Sequence, residues 1–443
     1  MSTWFRTSGR SCFVGGLASL LLIFRFEGSA AAEPPNVILL LADDFGYECV
    51  GANGGTSYAT PHLDRLAKTG ARFEHCYAQP LCTPTRVQLM TGQSNVRNYV
   101  RFGLLDPTQI TFAQLLKNAG YSTGIFGKWQ LENGLDGPKH FGFDEHCLWQ
   151  LNRRPPRYAN PGLEINGQQV DFSDGQYGPD IVQKYAIDFV ERYREKPFFL
   201  YYPMMLTHGP YQPTPDSPDW DAKAVGEDVS QHDRHFGEMV CYLDRLVGQL
   251  VLRLDELHLR ERTLILFVGD NGTASKLESK WNGQTVVGGK AKTTDNGTRV
   301  PLIVNWPGRV KSAVIRDLVD TTDFLPTICE ATGAAVPASV PLDGRSFLPQ
   351  SLEQTGNPRD WIYAWYAPNQ GRRQDEPVEF ARTEQYKLFR DGRFFQLDGR
   401  YGERMLKNED LDPTSGEAKA LLQRALDRYT QARPINLRNS TKP

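Results

Sequence analysis

The segment Val37-Ile38-Leu39-Leu40-Leu41-Ala42 is a short apolar run, and Asp43-Asp44 follows it directly. Further short apolar runs occur along the chain, at residues 122–126, 198–205, 264–268 and 302–305. Helical patterns separate these runs, at residues 61–68, 111–118, 181–194 and 236–254. Such alternation is typical of a mostly parallel β-sheet covered by helices. We therefore predict an α/β fold with a large, mostly parallel sheet sandwiched by helices.

The pattern changes beyond Pro349. Residues 363–365, 386–390 and 393–397 favour antiparallel strands, with Asp391-Gly392 as a hairpin turn. Residues 418–432 favour a closing helix. We predict a catalytic domain over residues 33–349 and a small C-terminal α+β subdomain over residues 350–443. The Pro- and Asn-rich segment 153–177 is interpreted as a long surface loop on a binding face.

The first residues have the composition of an export signal. Arg6 and Arg10 precede an apolar run at residues 13–24, and small residues occupy positions 29–32. This order predicts a signal peptide over residues 1–32, and the apolar run is too short to span a bilayer comfortably. We expect an exported protein, periplasmic or secreted, without stable membrane insertion.

Composition excludes several classes of function. The chain has 443 residues, 40% hydrophobic and 23% charged, with a net charge of -2. No nucleic acid partner is therefore expected. Six cysteines remain after the signal peptide, without a CxxC pair, which argues against zinc-finger and thioredoxin functions. Their spacing fixes no disulfide pairing, and the oligomeric state cannot be read from the sequence.

Four predicted strands lead into polar or charged residues. Asp43-Asp44 and Asp270-Asn271 follow two of them, His208 follows a third, and Lys128 follows the fourth. In open α/β sheets, ligands bind at the carboxyl edge of the strands. Each residue taken alone has a structural interpretation as a helix cap, a tight turn or an ordinary surface histidine. Their common placement favours a site.

The donors at this edge suit a hard cation. Asp43, Asp44, Asp270 and Asn271 offer three carboxylates and one amide, and Ca²⁺ and Mg²⁺ prefer such oxygen ligands. Buried carboxylates repel one another unless a cation holds them together. We predict a metal site here, with Ca²⁺ favoured outside the cytosol.

Cys82-Thr83-Pro84-Thr85-Arg86 is the second landmark. Thr83 and Pro84 suit the start of a helix over residues 84–90, and Gly92 suits its end. Cys82 would then lie at a helix N-terminus, which favours an anion, with Arg86 one turn further on. The residues alone leave two interpretations open, a low-pKa thiolate facing an oxyanion and a structural thiol.

These residues resemble the sulfatase family of the alkaline-phosphatase-like superfamily. The core signature is Cys82-x-Pro84-x-Arg86 with Thr91-Gly92 after it, and Gly127-Lys128-Trp129 follows in family order. The resemblance continues through three later segments, which are Thr207-His208-Gly209-Pro210, Gly289-Lys290 and Arg299-Val300-Pro301. It covers nearly the whole chain after the signal peptide and weakens in the C-terminal subdomain.

The resemblance implies that a formylglycine-generating maturation enzyme oxidises Cys82 to formylglycine. A hydroxyl of the hydrated aldehyde would then attack the ester sulfur, assisted by Asp270 and Ca²⁺. The resemblance assigns the Ca²⁺ ligands to Asp43, Asp44, Asp270, Asn271 and residue 82. It also implies that Arg86 holds the formylglycine and that three residues neutralise the sulfate oxygens, namely Lys128, His208 and Lys290. His208 or Lys290 would protonate the leaving alcohol.

Gln130 departs from the family pattern, which carries a histidine after Gly-Lys-Trp as the base of the second half-reaction. An amide can donate or accept a hydrogen bond but cannot accept a proton at neutral pH. Another group must act as the base, or turnover is slow.

Three functions remain open. The first is a sulfatase acting on a sulfated small molecule or polysaccharide. The second is a phosphoester or phosphonate hydrolase on the same fold, and the third is a sulfated-glycan-binding protein with weak turnover because of Gln130. The sequence gives neither the sulfate ester nor endo or exo action. Residues 174–177, 211–220 and 370–373 are our predictions for the pocket rim.

Overall fold

Strand β1 spans Asn36–Ala42, and each of its residues is buried. Val37, Leu39 and Leu41 point into one hydrophobic core, while Ile38, Leu40 and Ala42 point into a second. A strand that is apolar on both faces must be covered on both sides, and this places β1 in the middle of a layered α/β fold.

The computed structural model describes residues 1, 4–9, 33–225, 231–367 and 376–438. Pro34–Pro443 form one compact unit. After β1, the strands in the described ranges are β2 (Ala71–Tyr77), β3 (Ser122–Lys128), β4 (Glu145–Trp149), β5 (Gly162–Ile165), β6 (Gln168–Asp171), β7 (Phe198–Pro203), β8 (Thr263–Gly269), β9 (Glu278–Trp281), β10 (Gln284–Val287), β11 (Arg299–Asn305), β12 (Ala313–Asp320), β13 (Ile362–Tyr366), β14 (Val378–Arg382), β15 (Tyr386–Phe389), β16 (Phe394–Leu397) and β17 (Glu403–Leu406).

The helices in the same ranges are α1 (Pro61–Lys68), α2 (Cys82–Thr91), α3 (Asn95–Asn98), α4 (Phe112–Asn118), α5 (Gly137–His140), α6 (Gly178–Arg192), α7 (His235–Glu256), α8 (Asp295–Thr298), α9 (Phe324–Thr332), α10 (Leu348–Ser351), α11 (Pro413–Arg428) and α12 (Ile435–Arg438). Helices α2, α4 and α9 pack in the first core, and α1, α6 and α7 pack in the second. The predicted sandwich of helices around a sheet is confirmed.

The main sheet has ten strands within the described residues, in the order β12-β2-β11-β8-β1-β7-β3-β4-β5-β6. The central strands β8, β1, β7, β3 and β4 are parallel to one another. Their carboxyl ends therefore share one edge. Four of them, β8, β1, β7 and β3, are the strands whose ends carry the predicted site residues, and they are neighbours in the sheet.

Strands β13 to β17 form a separate five-stranded antiparallel sheet, and α11 contacts β14 and β15. This arrangement confirms the antiparallel C-terminal region and the hairpin turn at Asp391-Gly392. The closing helix begins earlier than the predicted residue 418, because Asp412 caps it through the backbone amide of Ser415 and Pro413 begins it.

The prediction of a single loop over residues 153–177 is wrong in part. Strands β5 and β6 form a hairpin there and extend the edge of the main sheet. Their turn is Asn166-Gly167, with φ of 49° and 89°, and such Asn-Gly turns with positive φ are a strong hairpin signal. Because the two strands are short and largely polar, the sequence pattern did not predict this hairpin.

Most of the predicted signal peptide, residues 10–32, and the predicted rim segment 370–373 lie outside the described residues. None of the described helices combines the length and the apolar composition that crossing a membrane requires.

Candidate active site

The carboxylates after β1 and β8 meet at the carboxyl edge of the sheet. The register pairs Ala42 with Gly269, so Asp43-Asp44 and Asp270-Asn271 leave the sheet side by side. The backbone amide of Asp44 donates to Asp270 Oδ1 at 3.0 Å, and Asn271 Nδ2 donates to Asp44 Oδ1 at 2.9 Å. All four side chains are buried. The sequence thus collects three acidic groups in a site almost without solvent.

Cys82 is the first residue of α2, and its side chain is buried. The predicted cap at Thr83 is wrong, since the helix begins two residues earlier than predicted and Leu81 occupies the cap position. Thr83 lies inside the helix, where its hydroxyl accepts a hydrogen bond from the backbone amide of Gly103 at 3.2 Å. Gly92 ends the helix with a φ of 67°, as predicted.

The thiol of Cys82 donates to Gln130 Oε1 at 3.0 Å. Burial, the largest influence, raises the pKa of Cys82; Lys128 opposes this shift and Asp270 adds to it. The direction of this pKa shift argues against the low-pKa thiolate interpretation for the unmodified residue. The geometry of a helix N-terminus does not outweigh desolvation among carboxylates.

Arg86 lies one helical turn after Cys82 and is almost fully buried. Its guanidinium donates to the carbonyl of Lys128 at 3.0 Å and to Asp270 Oδ2 at 3.2 Å. It therefore ties α2 to the ends of β3 and β8, and it fixes a positive charge beside residue 82.

Two lysines neutralise the acidic pair after β1. Lys128 Nζ lies 2.7 and 3.0 Å from the two carboxylate oxygens of Asp43, and Lys290 Nζ lies 2.6 Å from Asp44 Oδ2. Burial alone would raise the pKa of Asp43, but Lys128 and His208 hold that pKa far below its ordinary value. The pKa of Lys290 is raised because Asp44 outweighs the effect of burial. Both lysines thus bring positive charge to the position where a bound oxyanion would lie.

His208 follows β7 and lies at the mouth of the site. Its Nδ1 is 2.6 Å from the carbonyl oxygen of Gly209. Because a carbonyl can only accept a hydrogen bond, the proton of the neutral imidazole is on Nδ1. The unprotonated Nε2 faces Asp44, 3.9 Å from Oδ2. Burial, although opposed by Asp44, lowers the pKa of His208 to about 4.

The donor set fits a hard cation. The ligand atoms of Asp43, Cys82 and Asp270 lie within 4.8 Å of one another. The side-chain oxygen of Asn271 is buried without a hydrogen-bond partner among the described residues. Burial and the neighbouring Asp43 raise the pKa of Asp270 to about 7, because ionised carboxylates close together in a buried site are unfavourable. A cation coordinated by these oxygens would satisfy the unpaired amide and relieve the repulsion.

Every residue that the sequence proposes for the site is present at this edge: Asp43, Asp44, Cys82, Arg86, Lys128, Gln130, His208, Asp270, Asn271 and Lys290. Arg157 was not predicted. It is buried, stacks 3.8 Å from the ring centre of Trp149, and places Nη1 3.9 Å from Asp43 Oδ2. Its only sequence signal was its location in segment 153–177, which has no recognisable motif around this arginine.

Two cavities border the site. One, of about 320 Å³, is lined by Asp44, His208, Tyr211 and Lys290. The other, of about 640 Å³, lies on the side of Gln130. The predicted rim is thus supported at Tyr211. Trp220 instead packs edge-to-face on Tyr177, with ring centres 5.4 Å apart, which is a structural contact.

Comparisons with known proteins agree with this geometry. A sulfatase family profile matches residues 35–334, and a profile for the C-terminal region of N-sulphoglucosamine sulphohydrolase matches residues 289–413. Arylsulfatase A of Homo sapiens is 31% identical over 416 residues, which cover 84% of this chain and 78% of that protein. N-acetylgalactosamine-6-sulfatase of Homo sapiens is 31% identical over 391 residues, which cover 80% of this chain and 69% of that protein.

The solved structure of Ps i-CgsB superimposes with a TM-score of 0.76 and 25% identity, covering 93% of this chain and 98% of that chain. The sulfatase profile spans the β1, α2, β3 and β8 segments that build the site, and the second profile spans the strands of the C-terminal sheet. The chain belongs to the sulfatase family and is a sulfuric ester hydrolase.

Proposed function

We propose that this enzyme hydrolyses sulfate esters of carbohydrates through a formylglycine made from Cys82, with calcium bound by Asp43, Asp44, Asp270, Asn271 and residue 82. The observation that carries the proposal is the placement of Cys82. It begins a buried helix within 4.8 Å of two carboxylates, and Arg86, one turn along that helix, donates to Asp270. A protonated thiol in this position is a poor nucleophile, whereas a modified residue held beside a cation has the required chemistry.

The chain's own residues would divide the work. The modified residue would supply the hydroxyl nucleophile, and bound calcium would supply a Lewis-acid charge. Arg86, whose guanidinium is fixed by its bonds to Lys128 and Asp270, would hold the modified residue 82 in place. The ammonium groups of Lys128 and Lys290 stabilise negative charge on the sulfate oxygens as it develops. His208 or Lys290 would protonate the leaving alcohol, because both border the cavity of about 320 Å³. Lys290 already carries its proton, whereas His208 would first have to take one up on Nε2.

A carbohydrate substrate is supported by two relatives. A second structure of Ps i-CgsB, with 26% identity and a TM-score of 0.74, is a complex with k-i-k-neocarrahexaose. The name of the N-acetylgalactosamine-6-sulfatase relative also specifies a sulfated amino sugar. The two cavities beside the site provide room for the sugar rings of the leaving alcohol.

Gln130 favours slow turnover. Its side-chain oxygen contacts the Cys82 sulfur directly, at the position where a base would be needed to regenerate the aldehyde. Since an amide cannot take up a proton at neutral pH, regeneration limits the rate unless another group accepts the proton. A protein that retains sulfated glycans with weak turnover is the limiting case of this proposal.

Export and maturation complete the proposal. Residues 1–32 would act as a signal peptide, 33–349 as the catalytic domain and 350–443 as the C-terminal subdomain. A formylglycine-generating enzyme would modify the chain before or during export. N-terminal sequencing of the protein recovered from the medium or periplasm would locate the cleavage, which we expect after Ala32.

The decisive experiment is the mass of the tryptic peptide Phe73–Arg86, from protein produced together with a formylglycine-generating enzyme. This peptide contains Cys76 as well as Cys82, so alkylation of Cys76 provides an internal control. We expect an aldehyde at residue 82 that hydrazine reagents trap. Two alkylated thiols, under conditions that convert a control sulfatase, would contradict the proposal. Matched sulfate, phosphate and phosphonate esters then test the type of ester hydrolysed.

A further inference from the structure

A cavity of about 640 Å³ opens beside Gln130. The Gln130 side chain forms part of its wall and also accepts the hydrogen bond from Cys82, so the cavity begins one side chain away from the nucleophile position. Its volume lies within the range of small-ligand sites, which is roughly 300–1,000 Å³. The main polar contacts between lysines and carboxylates in the active site do not extend into it.

The charges on its wall are unequally compensated. Arg154 lines the cavity, is exposed, and makes no ion pair or hydrogen bond with any described residue. Its neighbour Arg153 is held by Glu164 at 3.2 Å and by Asp171 at 2.7 Å. The acidic residue of the wall, Glu132, is paired with Arg101. The cavity therefore has one positive charge, that of Arg154, without a counterion among the described residues.

One further group on the wall can contact a ligand. Phe102 is half-buried and offers part of its ring. The side-chain oxygen of Gln150, another residue of the wall, is buried from solvent and is not counted as a contact. An uncompensated guanidinium and an aromatic surface match an anionic sugar, because a carboxylate or sulfate pairs with the guanidinium while the sugar ring packs on the aromatic face.

We propose that this cavity binds a second sugar of an oligosaccharide substrate, and that Arg154 pairs with an anionic group on that sugar, either a carboxylate or a second sulfate. The inference rests on the proposed function, since it assigns the neighbouring part of the same substrate. Arg154 is then a specificity-determining residue, and the enzyme prefers oligosaccharides with charge on adjacent rings to esters that bear a single charge. The ion pair strengthens substrate binding, so its loss should raise KM more than it lowers kcat.

The test compares Arg154→Ala with the wild-type enzyme on two disaccharides, one with a single sulfate and one with a second anionic group on the adjacent ring. The ratio of kcat/KM between the doubly and the singly charged substrate should fall about tenfold, the effect of about 1.4 kcal/mol. Arg154→Lys should restore part of the ratio, because the charge remains while the planar fork is lost. Separate substrates with a uronic carboxylate and with a second sulfate distinguish the two anions.

Arg65→Ala is the matched control, since Arg65 is an exposed arginine on α1 that lines none of these cavities. It should leave the ratio unchanged. A ratio that is the same in the wild type and in Arg154→Ala would overturn the inference and leave the proposed function intact. Direct binding separates the two further: in a Cys82→Ala background without turnover, Arg154→Ala should weaken the affinity for the doubly charged disaccharide about tenfold in calorimetry. Equal affinities would also overturn it.

Discussion

Cys82 illustrates how a buried charged site selects the chemistry of a single residue. Burial among Asp43 and Asp270 keeps the thiol protonated, although Lys128 and Lys290 oppose this effect. A thiolate nucleophile would have to be created against that desolvation, whereas an aldehyde is uncharged and carries no such cost. The position therefore favours a modified residue over a free cysteine.

Replacing Cys82 by alanine should abolish sulfate release and leave the fold unchanged. The side chain is small, and its one hydrogen bond among the described residues, to Gln130, contributes about 1 kcal/mol. Sulfate release and thermal unfolding measure the two effects separately. Cys241→Ala is the control, because Cys241 is an exposed thiol on α7. Activity near the wild-type level in Cys82→Ala would rule out residue 82 as the nucleophile.

Gln130→His should increase kcat, because an imidazole can take up the proton that an amide cannot. We expect at least a tenfold gain, with activity that declines below the pKa of the new histidine. Gln130→Asn is the control, an amide one methylene shorter that adds no base and should bring no gain. The comparison is made from steady-state rates between pH 5 and 8. If the histidine variant is no faster, a different group already acts as the base.

Asp270→Asn should weaken calcium binding by tenfold or more. The amide keeps an acceptor for the backbone of Asp44, which lies 3.0 Å from Oδ1, but removes one of three carboxylates from the proposed ligand set. Calcium at 100 times the wild-type Kd should raise the free energy of unfolding of the wild type by about 2.7 kcal/mol and that of the variant by much less. Calorimetry and thermal shifts measure this independently of activity. A chelator that leaves the wild-type unfolding temperature unchanged would argue against the calcium site.

At the scale of elements, the sequence predicts where strands end better than how they pair. The prediction that the polar residues after β1, β3, β7 and β8 share one edge is correct. Parallel strands buried on both faces are continuous apolar runs, so their ends can be recognised in the sequence. Strand β11 was predicted as a strand, but its antiparallel position between β2 and β8 depends on contacts distant in sequence. The hairpin of β5 and β6 has polar residues throughout most of its length, so that only Asn166-Gly167 signalled it.

The junction of β12 and α9 provides a pH-dependent element. The Asp320 carboxylate accepts a hydrogen bond from the backbone of Thr322 at 2.8 Å. Burial raises the pKa of Asp320 from 3.8 to about 6, an effect that Arg359 opposes and the neighbouring Asp323 reinforces. The native state therefore holds this proton more tightly than the unfolded state. The bound proton therefore stabilises the native state fully below about pH 4, and this stabilisation is lost as the pH rises to about 6.

Asp320→Asn should consequently be more stable than the wild type above pH 6, by on the order of 1–3 kcal/mol, and the difference should vanish near pH 4. The amide oxygen keeps the hydrogen bond to Thr322. Denaturant unfolding at pH 4, 5, 6 and 7 measures the effect. Asp255→Asn, at an exposed aspartate on α7, is the control for a change of net charge. A stability difference that does not change with pH would show that Asp320 does not titrate in this range.

At the scale of the whole molecule, the C-terminal sheet braces the segment that carries Lys290. Lys387 on β15 donates to the carbonyl of Thr293 at 3.1 Å, and Arg382 on β14 forms a buried ion pair with Asp295. The Tyr366 hydroxyl also lies 3.4 Å from the carbonyl oxygen of Ala291. These contacts come from three strands of the second sheet. The sequence showed that a C-terminal region exists, but not that it positions an active-site lysine, because isolated residues such as Lys387 carry no motif.

Arg382→Gln should therefore lower both stability and activity. It removes the ion-pair partner of the buried Asp295 carboxylate, although Lys387 and Arg299 remain nearby, at a cost of up to about 3–5 kcal/mol. It also loosens the segment that follows Lys290. Because the proposed role of Lys290 is to stabilise charge that develops in the transition state, kcat should fall more than KM rises. Arg393→Gln, which breaks an exposed ion pair with Asp391 in the same sheet, is the control and should cost less than 1 kcal/mol. The double variant Arg382→Gln/Asp295→Asn removes both charges, so it should recover much of the stability lost. If the double variant recovers stability but not kcat, the contact of the C-terminal sheet with the Lys290 segment supports activity separately from the general stability of the fold. An unchanged kcat in Arg382→Gln would show instead that the two sheets function independently.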